Sequence, residues 1–129
     1  MAWITVQIEE KEFGRNIPYV SVGHKRLSMN IATCELMDTE RENYQYVQFM
    51  EDDKNPNIIG IRFWKKNANP NCVPLKQKTL NDKPVGGLDV VNANLMKRLF
   101  GDVADKNTVT KYRVKRDEDD AHVLIVFKS

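Results

Sequence analysis

The sequence predicts an α+β fold, in which a mostly antiparallel sheet carries two short helices. Several short stretches alternate apolar and polar residues, which is typical of strands with one buried face. Two other stretches, after Asn30 and after Asn92, space their apolar residues as one face of a helix does. Each predicted helix has strand-like stretches before and after it. We therefore expect two pseudo-repeated β-β-α-β-β units.

The composition is that of one ordinary domain. The chain has 129 residues, of which 41% are hydrophobic and 29% are charged, and a chain of this length buries roughly two thirds of its unfolded surface. We expect a single compact domain over 1–129, with related halves at 1–66 and 71–129. The Asn- and Pro-rich stretch that begins at Lys65 predicts an exposed connector between them.

The net charge and the cysteines bear on the ligands and the cellular compartment that we expect for the protein. The net charge of +2 comes from 20 basic and 18 acidic residues, a balance that neither excludes nucleic acid nor indicates it. Cys34 and Cys72 are the only cysteines. Without a signal-like N-terminus they predict reduced thiols, and no stretch is long and apolar enough for a membrane span. We expect a small soluble cytoplasmic protein with no membrane contact.

Strands are predicted wherever alternation is flanked by turn residues. They cover 3–8, 19–22, 25–29, 44–50 and 58–64 in the first half, and 73–79, 88–91, 110–115 and 123–127 in the second. In the last hairpin of each half one face is expected to point to the core. These faces consist of Ile59, Ile61 and Phe63, and of Val123, Ile125 and Phe127.

An asparagine precedes each predicted helix. Its side-chain oxygen can accept hydrogen bonds from the free amides of the first helical turn, so Asn30 and Asn92 are predicted N-caps. Apolar residues then recur every three positions: Ile31, Cys34 and Met37 in the first helix, and Ala93, Met96 and Leu99 in the second. The shared pattern predicts an internal repeat. Chance recurrence of the same order in a small mixed domain is the alternative.

The first unit resembles the swapped-hairpin fold of the AbrB/SpoVT and MazE transcription regulators. The residues that carry the resemblance are 20–29, 31–37, 46–49 and 58–66. The resemblance implies that two units interlock, so that a tandem copy forms a pseudo-dimer in one chain and the protein is a monomer or a homodimer. It also implies DNA binding through basic residues near the helix. In this chain, however, Asn30 replaces a common proline, and the helix 31–37 has no lysine or arginine.

Basic residues supply the candidate nucleic-acid site. Lys111, Arg113 and Lys115 alternate, so on a strand their side chains form one row with steps of about 7 Å. Such a row suits phosphates, and a solvated outer face is the alternative. We expect a non-catalytic, regulator-like protein that binds DNA or RNA. Its candidate residues are Lys25, Arg26, Lys97, Arg98, Lys111, Arg113 and Lys115.

Three aromatic residues supply candidate contacts to a protein partner. Tyr44, Tyr46 and Trp64 lie in the predicted hairpin of the first half. Exposed aromatic rings anchor protein partners or stack on bases, and packing over the core is the alternative. A protein–protein interaction module, such as a small inhibitor or adaptor, is therefore the alternative function.

No catalytic or metal-binding set is visible. His24, His122 and the two cysteines are not spaced as zinc ligands. The carboxylates from Asp117 to Asp120 lack the alternate spacing and the glycine of a calcium loop. We therefore expect no enzyme activity, no catalytic residues, no metal and no cofactor.

Overall fold

The computed structural model describes residues 2–5, 17–37, 44–81 and 83–128. The helices there are α1 (Ile31–Glu35) and α2 (Ala93–Phe100), and α2 continues into a 3₁₀ helix, Gly101–Asp105. The strands are β1 (Tyr19–Gly23), β2 (Arg26–Met29), β3 (Tyr46–Glu51), β4 (Ile58–Trp64), β5 (Val73–Pro74), β6 (Lys76–Leu80), β7 (Lys83–Val91), β8 (Thr110–Arg116) and β9 (Val123–Phe127). The predicted α+β class, with a mostly antiparallel sheet and two short helices, is confirmed.

The nine strands of the described residues form one sheet, in the order β5-β3-β4-β9-β8-β1-β2-β7-β6. Only Leu75 separates β5 from β6, which lie at the two ends of this order. Its backbone N–H donates to the carbonyl of Gln45 at 2.8 Å. Because β5 pairs with β3 while β6 pairs with β7, this stretch joins both edges. The sheet is therefore nearly closed and barrel-like.

Strands from the two halves of the chain are neighbours at four places in the sheet. β2 pairs with β7, β1 with β8, β4 with β9, and β3 with the short strand β5, all of them antiparallel. The inner face carries fully buried side chains from both halves, among them Leu27, Ile61, Val90 and Leu124. Both halves thus contribute to one hydrophobic core.

The two helices lie at opposite ends of the sheet, because each follows one member of the antiparallel pair β2 and β7. Asn30 and Asn92 cap them as predicted: their side-chain oxygens accept from the backbone N–H groups of Thr33 at 2.9 Å and Leu95 at 3.1 Å. α2 ends at Gly101, whose φ of +69° suits glycine. Within the described ranges, no helix is long and apolar enough to cross a membrane.

The prediction that Val123, Ile125 and Phe127 form the inner face of β9 is wrong: Ile125 and Phe127 are only half-buried, although Val123 is buried at 6% exposure. Leu124 and Val126 are the residues that β9 pairs with the buried face of β4. Every residue of β9 is apolar, so the period of two gives no preference between its faces. The register with β4 makes the choice instead.

Three smaller predictions also need correction. Ile31 is 52% exposed, because the short helix α1 turns Ala32 inward in its place, whereas Cys34 and Met37 of the same stripe are buried. The strand expected at 88–91 begins at residue 83, since the chain reverses at Asn81, which has a φ of +52°. Residues 2–5 form no strand and leave Trp3 87% exposed. The rest of the strand predicted at 3–8 lies outside the described residues.

A candidate nucleic-acid interface

β8 presents a row of cations on the outside of the sheet. Lys111, Arg113 and Lys115 are exposed, whereas Val114 between them is buried and Tyr112 is half-buried. This alternation follows from the pleat of a strand whose other face covers the core. The register with β1 and β9 fixes it, because β8 pairs with β1 over residues 110–113 and with β9 over residues 113–116.

An aromatic ring lies on each side of this row. Arg113 stands directly opposite Tyr19 of β1 and Phe127 of β9. The ammonium nitrogen of Lys111 lies 4.8 Å from the centre of the Tyr19 ring, and that of Lys115 lies 5.8 Å from the centre of the Phe127 ring. Both distances are within the range of cation–π contacts. We name these five residues the β8 strip.

The lysines of the β8 strip keep their charge available. Among the described residues, no carboxylate lies within 4.0 Å of the ammonium groups of Lys111 or Lys115. Their nearest described partners are the two aromatic rings. A charge held over a ring at the surface remains able to meet a phosphate, because the contact is weak and the lysine side chain is flexible.

Three of the other predicted cations are held by carboxylates. Arg98 donates to Glu51 at 3.2 Å. Lys97 lies 3.2 Å from Asp105. These ion pairs join α2 to β3 and to the 3₁₀ helix, and they reduce the charge that both side chains could offer to a phosphate.

Arg26 is held by the third carboxylate, that of Asp89. Asp89 is only 7% exposed, and its Oδ1 has no hydrogen-bond partner among the described residues. Its Oδ2 lies 3.7 Å from the Arg26 guanidinium. A buried carboxylate with an unsatisfied oxygen is costly. Arg26 therefore has a structural reason for its position that is independent of any ligand.

Lys25 lies apart from the β8 strip, in the turn between β1 and β2. Its backbone has a φ of +63°, and its N–H donates to the carbonyl of Ala104 at 2.7 Å. The turn thus brings Lys25 to the 3₁₀ helix, the element that also holds the partner of Lys97. Of the seven predicted cations, only Lys111, Arg113 and Lys115 share one strand face.

The three predicted aromatic contacts do not form one patch. Tyr44 is 7% exposed, and its ring packs 5.6 Å from that of Phe63. Its hydroxyl shares a hydrogen bond of 2.5 Å with His122 Nδ1. Tyr44 thus belongs to the core, which is the alternative that the sequence left open.

Tyr46 and Trp64 are half-buried and face each other across β3 and β4 on the outside of the sheet. The Trp64 indole N–H donates to Gln48 at 3.3 Å, and the Arg62 guanidinium lies 5.0 Å from the centre of the Trp64 ring. These contacts hold the ring among polar side chains on this surface.

An open hollow of about 450 Å³ lies on the outer face of β3, β4 and β9. The hollow exists because Gly60 has no side chain to fill it. Its lining is partly apolar because Met50 and Ile125 of the adjoining strands form its walls. Four carboxylates stand around it. They are Glu51, Asp52, Asp53 and Asp117. Sequence reasoning missed this hollow, because its residues come from three strands whose order in the sheet was unknown.

Sequence reasoning also missed Tyr19 and Phe127. The alternation of β8 was enough to find the cations, but the rings come from strands that are distant in the chain. Only the pairing of β1 and β9 with β8 brings them together.

Comparison of the chain with models of protein families, with curated proteins and with solved structures finds no match. The described ranges contain no group of three or more His, Cys, Asp or Glu side chains that could hold a metal ion.

Proposed function

We propose that the protein binds nucleic acid, without catalysis, through the outer face of β8. The observation that carries this proposal is the exposed row of Lys111, Arg113 and Lys115 on one strand. Each phosphate that such a cation neutralises releases condensed counterions, and this release supplies most of the affinity that does not depend on sequence. A balanced overall charge of +2 is compatible with this function because the positive charge is concentrated locally.

We propose further that the two halves are copies of one β-β-α-β-β unit, arranged as a pseudo-dimer similar to the swapped-hairpin regulators. The order of the sheet supports this. If β5 and β6 count as one strand, exchanging β1 with β6, β2 with β7, β3 with β8 and β4 with β9 leaves the order around the closed sheet unchanged. The monomer is then sufficient for the fold, and native mass measurement tests this.

The two proposed copies differ in the charge of one corresponding strand. The strand that corresponds to β8 in the first half is β3, whose outer face carries Tyr46, Gln48 and Met50 in place of the three cations. The two copies thus differ at the surface, and only the second has the charge that a phosphate backbone requires.

A salt titration tests the proposed function. Fluorescence anisotropy with DNA and RNA oligonucleotides should show an affinity that falls linearly with salt on logarithmic axes. The double variant Lys111→Ala/Lys115→Ala should reduce the slope by about 1.4 for single strands and about 1.8 for duplex DNA.

The matched control is Lys65→Ala/Lys66→Ala, which removes the same charge from exposed positions just after β4. It should leave both slope and affinity nearly unchanged. The proposal is overturned if the wild-type protein binds no nucleic acid at low salt, or if both double variants lose affinity equally.

The hollow at Gly60 favours a second function, the docking of a basic protein segment. Its apolar floor suits an aliphatic side chain. The carboxylates of Asp52, Asp53 and Asp117 on its rim suit flanking lysine or arginine, whereas Glu51 is already paired with Arg98. Pull-down from a native lysate with wild type and with Asp52→Asn/Asp53→Asn tests it. Recovery of a basic partner by the wild type alone supports docking, whereas recovery of nucleic acid by both counts against it.

A further inference from the structure

We propose that the β8 strip binds single-stranded nucleic acid, with bases stacked on the rings of Tyr19 and Phe127. The phosphates would then meet Lys111, Arg113 and Lys115. This inference rests on the proposed function, and it adds both the strandedness of the ligand and the contacts that select it. A separate observation carries it, namely the two rings at the level of Arg113.

The register of three strands sets the spacing of the rings. Tyr19 and Phe127 are the direct cross-strand neighbours of Arg113, one on each side. Adjacent strands lie about 4.8 Å apart, so about 10 Å separates the two aromatic positions, with the guanidinium between them. A planar guanidinium also stacks on aromatic faces. Across the three strands, the β8 strip therefore offers an aromatic ring, a cation and a second aromatic ring in succession. This is the combination that single-strand binders use.

In the unliganded protein the lysines are placed against the rings. Lys111 lies over the Tyr19 ring and Lys115 over the Phe127 ring, at 4.8 and 5.8 Å from their centres. A base that stacks on either ring takes the place of the ammonium group. The long lysine side chain can then move to the adjoining phosphate, so the charge stays at the site.

Stacking on these rings requires a nucleic-acid strand whose bases are unpaired. In a duplex the faces of the bases are covered by their neighbours, and a duplex is read through its groove edges by an inserted helix or β-ribbon. Unpaired bases can be splayed onto aromatic side chains of a sheet. Since the rings of the β8 strip belong to a sheet surface, they suit single strands of either DNA or RNA.

The test compares three probes at equal low salt: a short single-stranded oligonucleotide, an abasic strand of the same length, and the corresponding duplex. All are measured by fluorescence anisotropy. The wild-type protein should prefer the single strand to both other probes. Tyr19→Leu and Phe127→Leu should each weaken single-strand binding by about 5- to 150-fold, and they should leave abasic binding unchanged. The conservative variants Tyr19→Phe and Phe127→Tyr should retain binding, because they keep the ring.

Tyr46→Leu is the matched control, since Tyr46 is a half-buried aromatic residue on the outer face of β3, which β4 and β9 separate from β8. It should leave all three affinities unchanged, and thermal unfolding checks that each variant is folded. Equal or tighter duplex binding overturns the inference and leaves the proposed function standing. An equal loss for the abasic strand in Tyr19→Leu also overturns it. Failure of every probe to bind overturns both.

Discussion

Lys111 of β8 holds its ammonium nitrogen 4.8 Å from the centre of the Tyr19 ring on β1. The two residues stand diagonally across the strand pair, because Lys111 is directly opposite Ser21 and Tyr19 is directly opposite Arg113. The contact joins the first strand of one half to a strand of the other. It also places a charge and a ring side by side on the surface where we propose that nucleic acid binds.

This contact should be measurable in the free protein. A double-mutant cycle between Lys111→Met and Tyr19→Leu should give a coupling of about 0.5–1 kcal/mol in the free energy of unfolding, because cations over exposed rings contribute that much. Urea unfolding measures it. A second cycle that pairs Lys111→Met with Tyr46→Leu should give no coupling, and the same value in both cycles would contradict the contact.

The two helix caps should differ in their contribution to stability. Besides capping α1, Asn30 accepts from the Tyr19 backbone N–H at 3.2 Å and donates to the Ile17 carbonyl at 2.8 Å. The Asn92 side chain makes only the capping bond among the described residues. Asn92→Ala should therefore cost about 1 kcal/mol, and Asn30→Ala about 2–4 kcal/mol. Urea unfolding of both variants checks this, and equal losses would show that the additional bonds contribute nothing.

The corrected inner face of β9 predicts opposite outcomes for neighbouring residues. Leu124 is 1% exposed and lies in the core, whereas Ile125 is half-buried on the outer face. Leu124→Ala should cost about 2–5 kcal/mol, because it leaves a cavity, and Ile125→Ala should cost about 1 kcal/mol or less. Chemical denaturation of the two variants decides the matter. A larger loss at Ile125 would restore the face that the sequence suggested.

The pair of Arg26 and Asp89 should respond asymmetrically. Arg26→Ala leaves the buried Asp89 carboxylate without its cation and should cost about 1–3 kcal/mol. Asp89→Asn removes the buried charge and keeps the shape, so it should change stability by less than about 1 kcal/mol. Thermal unfolding at low salt compares them. Equal losses in the two variants would show that the ion pair itself governs stability here, and not the cost of an uncompensated buried charge.

Stability should depend on the protonation of Asp120. The backbone N–H of His122 donates to this carboxylate and holds its pKa below the ordinary value of 3.8. Burial opposes this effect in part, and the Arg62 guanidinium adds to it. Because the pKa is lower in the folded state, the stabilisation is fully present above the ordinary value, and it is lost as the pH falls through the folded-state pKa.

Asp120→Asn should accordingly reduce the pH dependence of unfolding below about pH 4 and cost less than about 1 kcal/mol at neutral pH, since the pair is partly exposed. Urea unfolding across the acidic range provides the measurement. Asp119→Asn is the control, because the Asp119 side chain has no ion pair among the described residues. An identical acid profile for Asp120→Asn and the wild type would exclude this role.

The strip and the hollow show how far sequence reasoning reaches for a surface site. The row on β8 could be predicted because alternation along one strand depends only on local geometry. Tyr19 and Phe127 could not be assigned to it, since their proximity depends on which distant strands pair with β8. The carboxylates that pair with Arg26 and Arg98 could not be predicted from the sequence for the same reason.

By itself, the sequence determined the class of fold, most of the strands and both helix caps. The spacing of apolar residues, the turn residues and the capping asparagines all act over a few neighbouring residues. The tertiary structure alone decided the order of the sheet, its closure through Leu75 and the inner face of β9. Those features depend on pairing between distant strands, and a strand that is apolar on both faces takes its orientation from its partner.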